Sequence, residues 1–299
     1  MTIRFDAGEV ITAMATPFNE KLEVDFEAAK KLAKYLADNG SDGILVAGTT
    51  GESPTLTHEE ELELFKAVKS AVGSKTKIIL GAGSNSTETA VKASKAAQAA
   101  GVDAVLSVVP YYNKPSQKGL LEHFGTIAKS IDIPIILYNI PGRTGINMLP
   151  ETIATLAKTY PNITAVKQSN PDLDLVSEIV AKSPDDFIVY SGDDSLTLPM
   201  LSLGAWGVIS VASHLIGKDI KEMIVKYKSG DIKGAQKQHY ECFPLFKALF
   251  TSPNPTPLKA GLENWGIISE KVRLPLVTLT TEEKQKLFDV LSNYQRVSV

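Results

Sequence analysis

The stretch KIILGAGSNSTETAVKASKAAQAAGVDAVLSVVP, residues 77–110, opens and closes on short runs rich in Ile, Leu and Val, with a longer alanine-rich segment between them. Neither run alternates with polar residues, so each reads as a strand buried on both faces, the condition of a parallel sheet covered by helices. Asn85 and Glu88 stand three apart ahead of the middle segment, and this spacing predicts a capping box that opens a helix. Strand, helix and strand in this compass make one βα unit leading into the next.

The same unit recurs in both directions. VITAMATPF (10–18), GILVAG (43–48), PIILYNIP (134–141), ITAVKQS (163–169), FIVYSGDD (187–194) and GVISVAS (207–213) join KIILGAG (77–83) and AVLSVVP (104–110) to give eight strand-like runs. Between them Phe26, Ala29, Leu32, Ala33 and Leu36 share one helical face that Gly40 ends, and Thr57 with Glu60 predicts a second capping box. Eight βα repeats over roughly 220 residues fit an α/β fold of the (β/α)8 TIM barrel type. A doubly wound sheet would more usually show a G-x-G-x-x-G turn after its first strand, and none is present. From about residue 230 only helical patterns follow, at 232–250, 256–265 and 281–294, joined in part by TSPNPTP (251–257). The expected organisation is a catalytic barrel over 1–229 with a C-terminal helical domain over 230–299.

Composition narrows the classes of function. The chain has 299 residues, 43% hydrophobic and 22% charged, which argues against disorder or a fibrous repeat. A net charge of −3 and short basic clusters, such as Lys66 to Lys77, leave no footprint for nucleic acid. Cys242 is the single cysteine, so no intrachain disulfide or cysteine-based metal cluster can form, and a buried apolar thiol in a reducing compartment is expected. MTIRFDAGEV lacks an apolar core of signal-peptide length and no run is long enough to span a bilayer, so the expectation is a cytoplasmic protein without membrane partners.

In a barrel of this kind catalysis sits at the C-terminal ends of the strands. Lys167 lies inside an apolar strand, where an ammonium is costly and desolvation favours the nucleophilic amine; a lysine snorkelling outward or paired with a carboxylate is the plainer alternative. Gly48-Thr49-Thr50-Gly51-Glu52-Ser53 can aim N–H groups and hydroxyls at a small carboxylate, or can merely cap the next helix. Tyr138 and Arg143, at and after the fifth run, suit proton transfer and bidentate carboxylate binding, although a packed ring and a surface ion pair would look the same. Tyr111 and Tyr112, after the fourth, would most often be core or interface residues.

Taken in order, Gly48-Thr49-Thr50-Gly51-Glu52, Tyr138-Asn139-Ile140-Pro141 and Ala165-Val166-Lys167 resemble the dihydrodipicolinate synthase and N-acetylneuraminate lyase superfamily of pyruvate-dependent class I aldolases. Thr16-Pro17-Phe18, Ser191-Gly192-Asp193-Asp194, Gly207-Val208-Ile209-Ser210 and Asn254-Pro255-Thr256-Pro257 extend the likeness over the whole chain, closest to the dihydrodipicolinate synthase branch. That resemblance implies condensation of pyruvate with aspartate semialdehyde, in lysine and diaminopimelate biosynthesis, without metal or cofactor. It implies Lys167 as the Schiff-base nucleophile, Tyr138 as proton donor and acceptor, and Thr49 as the hydroxyl linking Tyr138 to a Tyr112 donated by a neighbouring subunit. Thr50 and the Ile209 main chain would hold pyruvate with Gly192 among the binding residues, and Arg143 would hold the semialdehyde carboxylate.

A homotetramer, as a dimer of dimers, is implied with it. Two features depart from the pattern. Gln168-Ser169 stands where the family commonly has Glu-Ala, and of the positions near a lysine effector site, His58, Asn85 and Tyr111 match whereas Glu61 and Thr89 do not. Two other functions remain open at this level: an aldolase of the same superfamily cleaving N-acetylneuraminate or a 2-keto-3-deoxy sugar acid, and a catalytically silent barrel that only binds.

Overall fold

The computed structural model describes residues 5–294, so the first four residues of the N-terminal segment assessed for a signal sequence lie outside it. In chain order the elements are β1 (Val10–Ala13), α1 (Phe26–Asp38), β2 (Gly43–Val46), α2 (His58–Val72), β3 (Lys77–Gly81), α3 (Thr87–Ala100), β4 (Ala104–Val108), α4 (Gln117–Ala128), β5 (Ile135–Asn139), α5 (Pro141–Thr144) and α6 (Pro150–Thr159). They continue with β6 (Ile163–Gln168), α7 (Leu173–Lys182), β7 (Ile188–Ser191), α8 (Thr197–Leu201), β8 (Gly207–Ser210), α9 (Ser213–Lys228), α10 (Ile232–Ala248), α11 (Thr256–Asn264) and α12 (Thr281–Leu291). The eight strands follow one another in sequence order around a closed barrel, the (β/α)8 architecture expected from the repeats. Among the described residues no helix is long and apolar enough to cross a membrane.

Contacts group the chain into two compact units. Among the described residues, the first holds Ile78–Ile209 with 5–7. Here β3 through β8 pair in parallel, and in register Tyr138 on β5 lies beside Lys167 on β6, which lies beside Tyr190 on β7. Every residue of β5, β6 and β7 is buried, which accounts for the lack of polar alternation in their sequences. The Asp103 carboxylate accepts the Ile78 N–H at 2.9 Å, so the start of β3 is tied to the turn before β4. One expectation is corrected at α3. Its N-cap is Ser86, whose hydroxyl accepts the Thr89 N–H, while Asn85 turns its amide to the Tyr111 carbonyl at 3.3 Å. Glu88 pairs with Lys92 one turn further on and closes no box.

Among the described residues, the second unit holds Gly8–Lys77 and 210–294. Its α2 opens on the expected box: the Thr57 hydroxyl accepts the Glu60 N–H at 3.2 Å and Glu60 accepts the Thr57 N–H at 2.9 Å. On α1, Ala29, Leu32, Ala33 and Leu36 form the buried face, with Tyr35 joining it and Phe26 only half-buried. Leu32 and Leu36 are wholly removed from water, each worth about 2 kcal/mol. Gly40 (φ +101°) and Gly217 make the close approach of α1 to α9 possible, because a Cβ on Gly217 would lie 2.3 Å from the Asn39 carbonyl oxygen. The helices after residue 230 belong to this unit: α10 packs on α9, and α12 packs on α10 and α11.

Candidate active site

In the first unit the strand order brings three of the expected residues together. Lys167, the penultimate residue of β6, is 5% exposed, and its Nζ lies 4.5 Å from the centroid of the Tyr138 ring. A cation over a ring face is a partial substitute for lost hydration. Among the described residues no carboxylate pairs with this ammonium and no hydrogen bond holds it, so the plainer alternatives of a snorkelling or ion-paired lysine do not describe it. Gly192 supplies the space. A Cβ there would stand 3.0 Å from both Cγ and Cε of Lys167 and 1.9 Å from the Ser169 hydroxyl. Its N–H donates to the Gln168 carbonyl at 2.8 Å, continuing the β7 to β6 ladder one residue past β7.

Gln168, the first departure from the family pattern, works on a different shell. Its Oε1 accepts the Asn139 amide at 3.0 Å, and the same amide donates to Asn147 Oδ1 at 2.7 Å while Asn139 Oδ1 accepts the Met148 N–H at 3.0 Å. These bonds fix the chain after β5, which carries Arg143 on α5. Arg143 is exposed, and among the described residues its guanidinium meets no acidic partner. Gln168 Nε2 and the Ser169 hydroxyl are buried without a hydrogen bond. After β4, Tyr112 is held at φ +71° and is 89% exposed; Tyr111 is also exposed. Ile209, on β8, is buried.

In the second unit the turn after β2 is built with unusual care. Glu52 sits in the left-handed region at φ +56°, a conformation that costs a non-glycine residue on the order of 1 kcal/mol and calls for compensation. The compensation is its carboxylate, which accepts the Lys259 ammonium of α11 at 2.6 Å and the Arg273 N–H at 3.0 Å. Both partners of the Glu52–Lys259 pair are fully removed from water. Burial pulls the Lys259 amine down to about 8 against the upward pull of Glu52. Two cations lie against the Phe18 ring, Lys259 Nζ 4.2 Å and Arg273 Cζ 4.6 Å from its centroid, and the guanidinium grips Glu60 with two hydrogen bonds. The Thr16 hydroxyl donates to the Gly51 carbonyl at 2.6 Å. Thr50 is buried and its hydroxyl accepts the Asn254 amide at 2.9 Å; Thr49 is half-buried. None of the roles of Asn254, Lys259 and Arg273 was deduced from sequence. The quoted motifs include Asn254, Phe18 and Glu52, but none contains Lys259 or Arg273.

The Dihydrodipicolinate synthetase (DHDPS) family profile matches residues 6–294. The chain belongs to this family. Among its relatives, the 4-hydroxy-tetrahydrodipicolinate synthase of Desulforamulus reducens is 52% identical over 288 residues, 96% of this chain and 97% of the relative. That of Moorella thermoacetica is 52% identical over 280 residues, 94% and 96% of the two chains. The crystal structure of DHDPS from Cyanidioschyzon merolae with lysine bound superposes with a TM-score of 0.94 at 50% identity, covering 96% of this chain and 98% of that one. Family membership accounts for the motifs spread from Thr16 to Pro257.

Proposed function

We propose that this chain is a lyase that condenses pyruvate with L-aspartate 4-semialdehyde to 4-hydroxy-tetrahydrodipicolinate, the Schiff-base step of lysine and diaminopimelate biosynthesis. The observation that carries the reading is Lys167: an amine buried at a strand end, paired with no carboxylate among the described residues and lying over a phenol. Its nitrogen adds to C2 of pyruvate, and loss of water leaves a protonated imine. That imine draws electrons from the methyl group, which loses a proton to become an enamine, and the enamine carbon attacks the aldehyde carbon of the second substrate. The aldehyde oxygen takes up a proton, hydrolysis returns Lys167 and leaves a ketone, and the substrate's own amine condenses with that ketone, releasing water as the ring closes.

Within this reading Tyr138 gives and takes the protons, relayed through Thr49 to a Tyr112 from a neighbouring subunit, and the 89% exposure of Tyr112 supports its reaching outward. Thr50 and the Ile209 main chain hold the pyruvate carboxylate, and Gly192 keeps the imine nitrogen's side chain free. Arg143 holds the carboxylate of the semialdehyde, its guanidinium having no acidic partner among the described residues. Two such subunits form the working dimer, and two dimers a homotetramer. Free lysine acts as an effector near His58, Asn85 and Tyr111.

Arg143→Ala separates this reading from a lyase for N-acetylneuraminate or a 2-keto-3-deoxy sugar acid. Imine formation with pyruvate is expected to survive, while kcat/KM for aspartate semialdehyde falls on the order of 10- to 100-fold, the loss of a charge-assisted contact. Undiminished condensation by the variant, or better turnover of a sugar acid by the native chain, contradicts it.

A further inference from the structure

We infer that Asn254 is a positioning residue for pyruvate, acting through Thr50 by dictating which way its hydroxyl proton points. The inference rests on the reading of Thr50 as a ligand of the pyruvate carboxylate. A threonine hydroxyl has one proton and two lone pairs. The Asn254 amide, on a buried side chain, donates to Thr50 Oγ1 at 2.9 Å and occupies a lone pair, so the hydroxyl cannot spend its proton on that neighbour and turns it toward another acceptor. A carboxylate ligand, which only accepts, is the complementary partner.

The backbone of the turn does not depend on this bond. Thr16 holds the Gly51 carbonyl, Lys259 and the Arg273 N–H hold the Glu52 carboxylate, and the Ser53 N–H donates to the Gly48 carbonyl at 3.3 Å. Asn254 therefore controls a hydroxyl rather than a fold. Asn254 Oδ1 is buried without a hydrogen bond, a cost accepted at this position while the amide nitrogen faces Thr50.

The test compares Asn254→Ala, Asn254→Asp, Thr50→Ala and the Thr50→Ala/Asn254→Ala double variant, reading steady-state KM for pyruvate, kcat, KM for aspartate semialdehyde and thermal midpoint. Asn254→Ala is expected to raise KM for pyruvate about fivefold with kcat within about twofold. Asn254→Asp, although closer in shape, is expected to be the worse of the two, because its carboxylate accepts the Thr50 proton and sets a negative charge beside that of pyruvate. The double variant should match Thr50→Ala, since Asn254 works only through that hydroxyl. A milder effect for Asp than for Ala, or additive losses in the double variant, marks a purely structural role and overturns the inference. If Thr50→Ala itself leaves KM for pyruvate unchanged, it is the assignment of Thr50 that fails. A raised KM in Thr50→Ala with none in Asn254→Ala overturns the role of Asn254 alone.

Discussion

At the residue scale, the site is defined as much by what is absent beside Lys167 as by Lys167 itself. Gly192 illustrates this: its alanine variant must displace either the Ser169 hydroxyl or the lysine stem. Gly192→Ala is expected to slow formation of the pyruvate adduct at least tenfold, roughly the effect of misplacing a reacting group by an ångström. Adding Ser169→Ala should recover part of the loss, because the closest obstruction is the Ser169 oxygen. Single-turnover borohydride trapping checks this, and an unchanged rate in Gly192→Ala would show that the lysine tolerates a shift. The burial of Lys167 was legible in the sequence because it lies inside an apolar strand, whereas its role as nucleophile came from the family resemblance. Asn139 with Gln168, Thr50 with Asn254 and Glu52 with Lys259 were not legible. Each polar member has several possible partners, and the last two pairs are separated by more than two hundred residues, so only the folded chain selects among them.

At the scale of elements, the strands were readable because burial on both faces forces continuous apolar runs, and the helices because their apolar spacing and stop signals are local. The α3 cap was not, since Asn85 and Ser86 both precede the helix and the choice fell to the Asn85 contact with Tyr111. At the start of α9, buried His214 links to Ala15, two residues past β1: its Nε2 accepts the Ala15 N–H at 3.0 Å and its Nδ1 faces the Val211 carbonyl at 2.8 Å. Those partners fit a neutral ring with its proton on Nδ1. Burial lowers the pKa of His214 to about 4, and that of His123 likewise. Because the folded value lies below the ordinary 6.5, the unfolded chain takes up protons first. Stability from these rings is thus complete above about pH 6.5 and declines as pH falls toward 4. For His214 the loss at pH 5 is on the order of 2 kcal/mol. Urea unfolding at pH 7.5 and pH 5, repeated on His214→Asn, should show a fall in the native chain that is smaller in the variant; equal falls would remove His214 from the explanation.

At the scale of the whole molecule, an exposed phenol at a positive φ makes sense as a group given to another subunit. Lys167→Ala and Tyr112→Phe are each expected to be nearly inactive alone. Unfolded, mixed in equal amounts and refolded, they should regain roughly a quarter of native activity, since half the dimers are mixed and each mixed dimer has one complete site. No recovery would mean that Tyr112 serves its own chain.

The most direct measurement is covalent. Incubation with pyruvate and borohydride, followed by peptide mass spectrometry, is expected to find a reduced pyruvyl adduct on the peptide carrying Lys167 and none in Lys167→Ala. An unmodified Lys167 in the native chain, or an adduct mainly on another lysine such as Lys259, would contradict the assignment of the nucleophile and the mechanism built on it.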